Sequence, residues 1–285
     1  MSNNIFLSTT CFNNNSLEEI IKISIENGIY NLEISGGLQY IDEYKLEKIF
    51  EKNTKINFRF HNYFPIPKNS FVINLASEKS AAMSIKNIIK GIKYAKKFGS
   101  NIFSFHAGLR FNPQEEDLGK IQSKFKSQDY HKSYKILEQS LMKINNKNFD
   151  RTLICIENNV VENRNYKFKD NRYIFSDLSD SKLIKKLINK YDLKVLLDVA
   201  HLKVSSETLS FSKYKFIEVY NEDIFIAHLS DNNGLSDNGD ELDEKSWFWS
   251  YLDWKRIKYV SLEIKNTDIN KLKKQIELTS KLINQ

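Results

Sequence analysis

The sequence predicts an α/β protein folded as a single (β/α)8 barrel, the TIM-barrel architecture, with residues 1–285 in one domain. Three observations predict it: eight short runs rich in β-branched and aromatic residues, longer amphipathic segments between them, and a chemically reactive side chain closing six successive runs. Alternation of short strands with longer helices is the pattern of βα units on a parallel sheet. The strand candidates are Ile5 to Ser8, Tyr30 to Ile34, Ile56 to His61, Asn101 to His106, Thr152 to Glu157, Leu193 to Asp198, Ile224 to Leu229 and Tyr259 to Glu263. Eight βα pairs close most simply into a barrel, which at roughly 250 residues is a normal single domain. The rival, an open doubly wound sheet, would carry a glycine-rich phosphate turn after a strand, and no GxGxxG or GxxxxGK segment is present.

Helix starts and stops are legible between these runs. Ser16 with Glu19 three residues on forms a capping box before IIKISI, and Asn27-Gly28 stops that helix. Residues 78–98 form a long helix that ends at Gly99. Asp180 or Ser181 caps a helix through Lys190, and Asp268 caps the last one through Leu282. Two connections exceed the usual length, Gly108 to Asp129 and Asn158 to Leu178, and insertions at strand carboxyl ends build site walls.

Composition bounds the function classes. The 285 residues are 41% hydrophobic and 13% aromatic, enough for one large core. No stretch approaches the ~18 apolar residues of a membrane span, and MSNNIFLSTTCF has no leader pattern, so a soluble cytoplasmic protein is expected. Cys11 and Cys155 lie in apolar runs without metal spacing and read as core thiols. The net charge of +7 comes from lysines spread along the helices, the pattern of a solvated face; an anionic ligand is the other reading.

The chemistry gathers at strand ends. His61, His106, Glu157, Asp198, His228 and Glu263 close or nearly close the third to eighth strands, and His201 follows the sixth by three residues. Strand carboxyl ends of a barrel converge on one face, so these groups would crowd a space of ~10 Å and repel or desolvate one another without a cation. Imidazole and carboxylate donors suit Mn, Zn, Co or Mg.

LDVAH (Asp198, His201), CIENN (Glu157), AHLSDNNG (His228, Asp231), SLEIK (Glu263) and LEISGG (Glu33) resemble, in order and spacing over nearly the whole chain, the motifs of the xylose-isomerase-like barrels. That superfamily comprises sugar isomerases and epimerases together with endonuclease IV. The resemblance implies that Glu157, Asp198, His228 and Glu263 are metal ligands, as in ketose 3-epimerases, and that His201 contacts substrate. It implies an isomerase or epimerase of a sugar or sugar phosphate, with Glu157 and Glu263 passing a proton on opposite faces of a metal-bound enediolate. His61 and His106 resemble second-metal ligands of endonuclease IV, and Asp237 the aspartate of its DxH pair, with Gly239 where the histidine would stand. That departure and the acids Asp237, Asp240, Glu241, Asp243 and Glu244 argue against a nucleic-acid substrate. A phosphodiesterase of the endonuclease IV type, a dehydratase or lyase, and a barrel that binds a ligand without turning it over remain as alternatives.

Further residues have two readings each. Arg110, Lys203 and Lys265 either hold an anionic group of the substrate or are ordinary surface charge. Trp247, Phe248, Trp249 and Trp254 stack on a sugar, pack a helix on the barrel, or meet a second copy in a homodimer. Cys155 shares inward parity with Glu157, and Arg59 with His61; Arg59 would need a carboxylate partner, for which Glu33 is a candidate.

Overall fold

The computed structural model describes residues 4–12, 16–117, 120–121, 125–149, 151–166, 170–265 and 267–284. Eight parallel strands close into one barrel in sequence order: β1 (Ile5–Ser8), β2 (Asn31–Ile34), β3 (Asn57–His61), β4 (Ile102–His106), β5 (Leu153–Glu157), β6 (Lys194–Asp198), β7 (Ile224–Leu229) and β8 (Tyr259–Leu262). Each starts within one residue of its expected position, and β8 stops one residue short of Glu263.

The described helices are α1 (Leu17–Glu26), α2 (Glu43–Lys52), α3 (Ala81–Lys97), α4 (Tyr130–Asn145), α5 (Ser181–Tyr191), α6 (Val199–Leu209), α7 (Lys213–Tyr220) and α8 (Ile269–Ile283). The Ser16/Glu19 box caps α1, and Asp268 caps α8 by accepting from the amides of Asn270 and Lys271. Asp180 makes no such cap; its Oδ2 takes the Phe175 amide and the Tyr134 hydroxyl and so ties a loop to α4. The helices are also unevenly shared. Both α6 and α7 lie between β6 and β7, while residues 230–258, all described, hold no α-helix and connect β7 to β8 through turns. Asn and Asp side chains take over the backbone there, as in Asn232 Oδ1 accepting from the Gly234 amide, which competes with helix formation.

The period of two along each strand sorts the barrel interior into layers. Phe6, Cys155, Leu196, Ile226 and Tyr259 pack together as an apolar lower layer, separate from the larger core between strands and helices. Two residues further up the same strands come Ser8, Glu157, Asp198, His228 and Ser261, all buried. The strand ends are thus polar because the apolar filling stops one pleat below. Both cysteines are free and buried.

Arg59 and Glu33 are register partners on β3 and β2 but do not pair. The Arg59 guanidinium turns to the lower layer, 4.9 Å from the Phe6 ring, and donates to Asn57 and the Phe58 carbonyl. Glu33 rises instead to the histidine layer, as described below. The tryptophan cluster packs on the main core around the fully buried Phe248, with Trp249 Nε1 donating to Asp243 O and Trp254 Nε1 to Trp249 O, so it serves helix-free packing of the 230–258 segment. No helix among the described residues is long and apolar enough to cross a membrane.

Close packing of α3 on β4 depends on Gly91. A Cβ there would lie 2.4 Å from Phe103 Cζ and 2.6 Å from the Phe64 carbonyl oxygen. Backbone cannot yield as a side-chain tip can, so Gly91→Ala is expected to destabilise the fold by about 1–3 kcal/mol, the usual range for overpacking. Urea denaturation checks this; an unchanged midpoint would show that α3 shifts freely.

Candidate metal centre

The upper layer of the barrel brings together every histidine and acid expected at the strand ends. Among the described residues, three sets of ligand atoms lie within 4.8 Å of one another: His61, His106 and Glu157; Glu157, Asp198 and His201; and Glu33, His228 and Glu263. The expected quartet of Glu157, Asp198, His228 and Glu263 is therefore assembled, but spread over two sets. His228 Nδ1 joins them, at 3.7 Å from Glu157 Oε1 and 3.6 Å from Glu263 Oε2.

Glu157 is the hub. Its Oε2 faces His61 Nε2 at 3.1 Å and His106 Nδ1 at 3.3 Å, and its Oε1 faces His201 Nδ1 at 3.4 Å. Donor atoms bound tetrahedrally at the ~2.1 Å of a Zn–N or Zn–O bond stand about 3.4 Å apart, so the spacing of Glu157 Oε2 from His61 and His106 suits ligands around a shared ion. A second observation agrees. Glu157 Oε2, His106 Nδ1 and His228 Nδ1 are buried and have no hydrogen-bond partner, although they lie among one another. Buried polar atoms are rarely left so, and a cation would supply the missing partner. The residues present fit a divalent ion.

Neighbouring groups fix each ligand. His61 Nδ1 meets Ser104 Oγ at 2.9 Å, which leaves Nε2 for Glu157. His201 Nδ1 is 3.0 Å from the Asn158 carbonyl oxygen; a carbonyl only accepts, so Nδ1 carries a proton and Nε2 faces the Asp198 and Asp237 carboxylates. Asp198 Oδ1 accepts the His201 amide and caps α6, leaving Oδ2 for the centre, while the Asn158 side chain bonds both the amide and the carbonyl of Asp198. Ser8 Oγ donates to Glu263 Oε1 at 3.0 Å.

The electrostatics are those of crowded charge in a dry site. Burial raises the Asp198 carboxyl to about 7, with Asp237, Glu157 and Glu263 adding to the rise against the pull of His201. Burial also opposes ionisation of Glu157 and Glu263, but their imidazole neighbours outweigh it: His106 and His61 hold Glu157 far below the usual range, and His228 holds Glu263 at about 2. Burial lowers His106 to about 4, so its ring is neutral and ready to ligate at pH 7. His201 and His228 are pushed up by their carboxylates against the effect of burial.

Of the three rim cations, two are committed elsewhere. Arg110 donates to Asp170, to the Asn171 carbonyl and to the Gln128 carbonyl, which staples the β4 and β5 loops together. The Lys203 ammonium binds Asp231 Oδ1 at 2.6 Å and the Asn232 carbonyl. Lys265 alone of the three reaches the centre, through Asp237 Oδ2 at 3.3 Å. The acids Glu241 and Glu244 are paired with Lys271 and Lys281 of α8.

Ser8, Ser104 and Asn158 escaped the sequence reading. Ser8 shares parity with Phe6 and Ser104 with His106, while Asn158 directly follows Glu157 past the end of its strand, but a serine or asparagine in such a place is chemically mute until its neighbour is known. The role of Glu33 also emerges only in three dimensions. Its Oε1 lies 2.7 Å from His228 Nε2, its Oε2 accepts from the Tyr259 hydroxyl at 3.1 Å, and it is fully buried. A carboxylate behind a ligating imidazole sets ring orientation and basicity. Glu33→Gln is expected to weaken metal binding about 10–100-fold, as outer-shell changes do. Titration against a competing chelator measures it, and an unchanged affinity would separate Glu33 from the centre.

Solved structures share this architecture. Endonuclease IV from Thermus thermophilus superposes with a TM-score of 0.61 at 11% identity, covering 99% of this chain and 99% of that one. D-psicose 3-epimerase from Clostridium cellulolyticum, solved with D-tagatose, gives 0.63 at 10% identity over 98% and 99%. A xylose isomerase domain protein from Alicyclobacillus acidocaldarius gives 0.64 at 12% identity over 99% and 98%. No protein-family model matches the sequence, and no curated protein does. Over its whole length the chain has the fold that these xylose-isomerase-like and endonuclease IV barrels share.

Proposed function

We propose that the chain is a divalent-metal-dependent isomerase of a small sugar or sugar phosphate. The observation that carries this reading is the contrast between Glu263 and Glu157. The Glu263 side chain is 18% exposed and fixed by Ser8, whereas Glu157 is 1% exposed with imidazoles facing both oxygens. One carboxylate is open to substrate; the other is closed in among its imidazole neighbours. A reachable, ionised carboxylate removes a proton from one carbon and returns it to the next on the same face, which is isomerisation. Epimerisation needs a second acid on the opposite face, and Glu157 is badly placed for that.

Glu157, Asp198, His228 and Glu263, with His61 and His106 beside them, would hold the ion. When bound, a divalent cation polarises the substrate carbonyl and offsets the charge of the enediolate. His201 Nε2, 3.7 Å from Asp198 Oδ2 and from Asp237 Oδ2, would meet a substrate oxygen. The pairing of Arg110 and Lys203 with loop acids leaves those two cations unavailable to a phosphate backbone, which supports a small substrate over a polyanion. Incubation with aldoses, ketoses and their phosphates in deuterated water, with Mn or Co added, tests the reading. Chelator-sensitive appearance of carbon-bound deuterium is expected; none with any of them would contradict it.

One observation favours a second reading. The His61, His106 and Glu157 set offers room for a second ion beside the first, the arrangement used for in-line displacement at phosphorus. Chelator-sensitive nicking of an abasic-site duplex, without deuterium exchange on sugars, would establish this phosphodiesterase instead.

A further inference from the structure

We propose that Lys265 is a resident cation of the centre, whose ammonium occupies the Asp237 corner and excludes an additional metal ion from it. The proposal rests on the reading of the upper layer as a metal centre and adds a limit to the number of ions it takes.

Asp237 is placed as a ligand would be. Its Oδ2 lies 3.7 Å from His201 Nε2, the nitrogen that does not bond Asn158, and His201 Nε2 in turn lies 3.7 Å from Asp198 Oδ2. His201 Nε2 thus faces an acid on either side, and with Asp237 it would offer an ion two donor atoms. Lys265 Nζ stands at that corner, 3.3 Å from the same Asp237 oxygen and 3.4 Å from the Asp237 carbonyl.

The lysine is half-exposed, but its backbone and stem are fixed in place. Its amide donates to the Gly239 carbonyl at 2.8 Å, which aligns the two backbones. Gly239 has φ +68°, and a Cβ on it would lie 2.9 Å from Lys265 Cγ, 3.0 Å from Lys265 Cδ and 2.9 Å from the Glu263 carbonyl oxygen. Only glycine both adopts that backbone and lets the lysine stem pass. The loop carrying Asp237 is held in turn by the paired backbones of Asp231 and Asp240, at 3.0 and 2.7 Å, and by the Asp237 amide donating to Glu162 Oε1. Two cations on one carboxylate oxygen repel. The ammonium and a metal ion are therefore alternatives at this corner, and the chain carries the ammonium.

Zinc bound per chain, measured by elemental analysis after titration against a competing chelator, tests this in the full-length protein. Lys265→Met keeps the stem and removes the charge; it is expected to take one zinc more than the unaltered protein. Lys265→Arg is expected to keep the original count, and Lys265→Met combined with Asp237→Asn to return to it. A melting curve for each variant confirms folding. If Lys265→Met binds the same number as the unaltered protein, or if its extra zinc survives loss of Asp237, the proposal is overturned while the metal centre stands. Absence of zinc from both proteins overturns the two together.

Discussion

Glu157→Gln is expected to strip the protein of its ion and of its activity together. Glu157 is the one residue common to two of the three ligand sets among the described residues, and its two oxygens face His61, His106, His201 and His228 at 3.1 to 3.7 Å. An amide presents one oxygen and carries no charge, so it would serve only one of the two sets. The loss in metal affinity should exceed the ~100-fold that marks the upper end for altering an outer-shell partner. Titration with a chelator reads this directly, and circular dichroism shows whether the barrel persists. Retention of metal with normal affinity would remove Glu157 from the hub position assigned to it.

The second large effect separates binding from chemistry. Glu263→Gln keeps an oxygen donor and the bond from Ser8, so the ion should remain, while proton transfer is lost. General-base removal of this kind is worth about 10²–10⁴-fold in rate. The expected result is near-complete loss of deuterium incorporation with the metal content close to that of the unaltered protein. If Glu263→Gln exchanges deuterium at an undiminished rate, another group handles the proton and the isomerase mechanism fails. The contrast with Glu157→Gln, which is expected to lose both, is the signature of one closed and one open glutamate.

Much of this was legible in the sequence for a definite physical reason. In a barrel, one rule of alternation governs all eight strands, so Cys155 below and Glu157 above announce both the packed layer and the reactive layer. Strand-end residues then converge whatever the loops do, and the cluster follows from parity alone. Partnerships between long side chains do not. Arg59 and Glu33 have the right register to pair, yet Arg59 lies against Phe6 while Glu33 backs His228. Arg110 and Lys203 look like rim cations by position, and only the course of the loops shows that Asp170 and Asp231 claim them. The helix-free 230–258 segment was hidden for a related reason. Its Asx turns and tryptophan packing are local solutions that leave no period to read.

Crystals grown with zinc or manganese and measured at the absorption edge of that metal test the central claim most directly. Anomalous density is expected within about 2.3 Å of Glu157 and at least two further donors among His61, His106, Asp198, His201, His228 and Glu263. Density found only at an outlying residue such as His131, with those side chains ordered and metal-free, would contradict it.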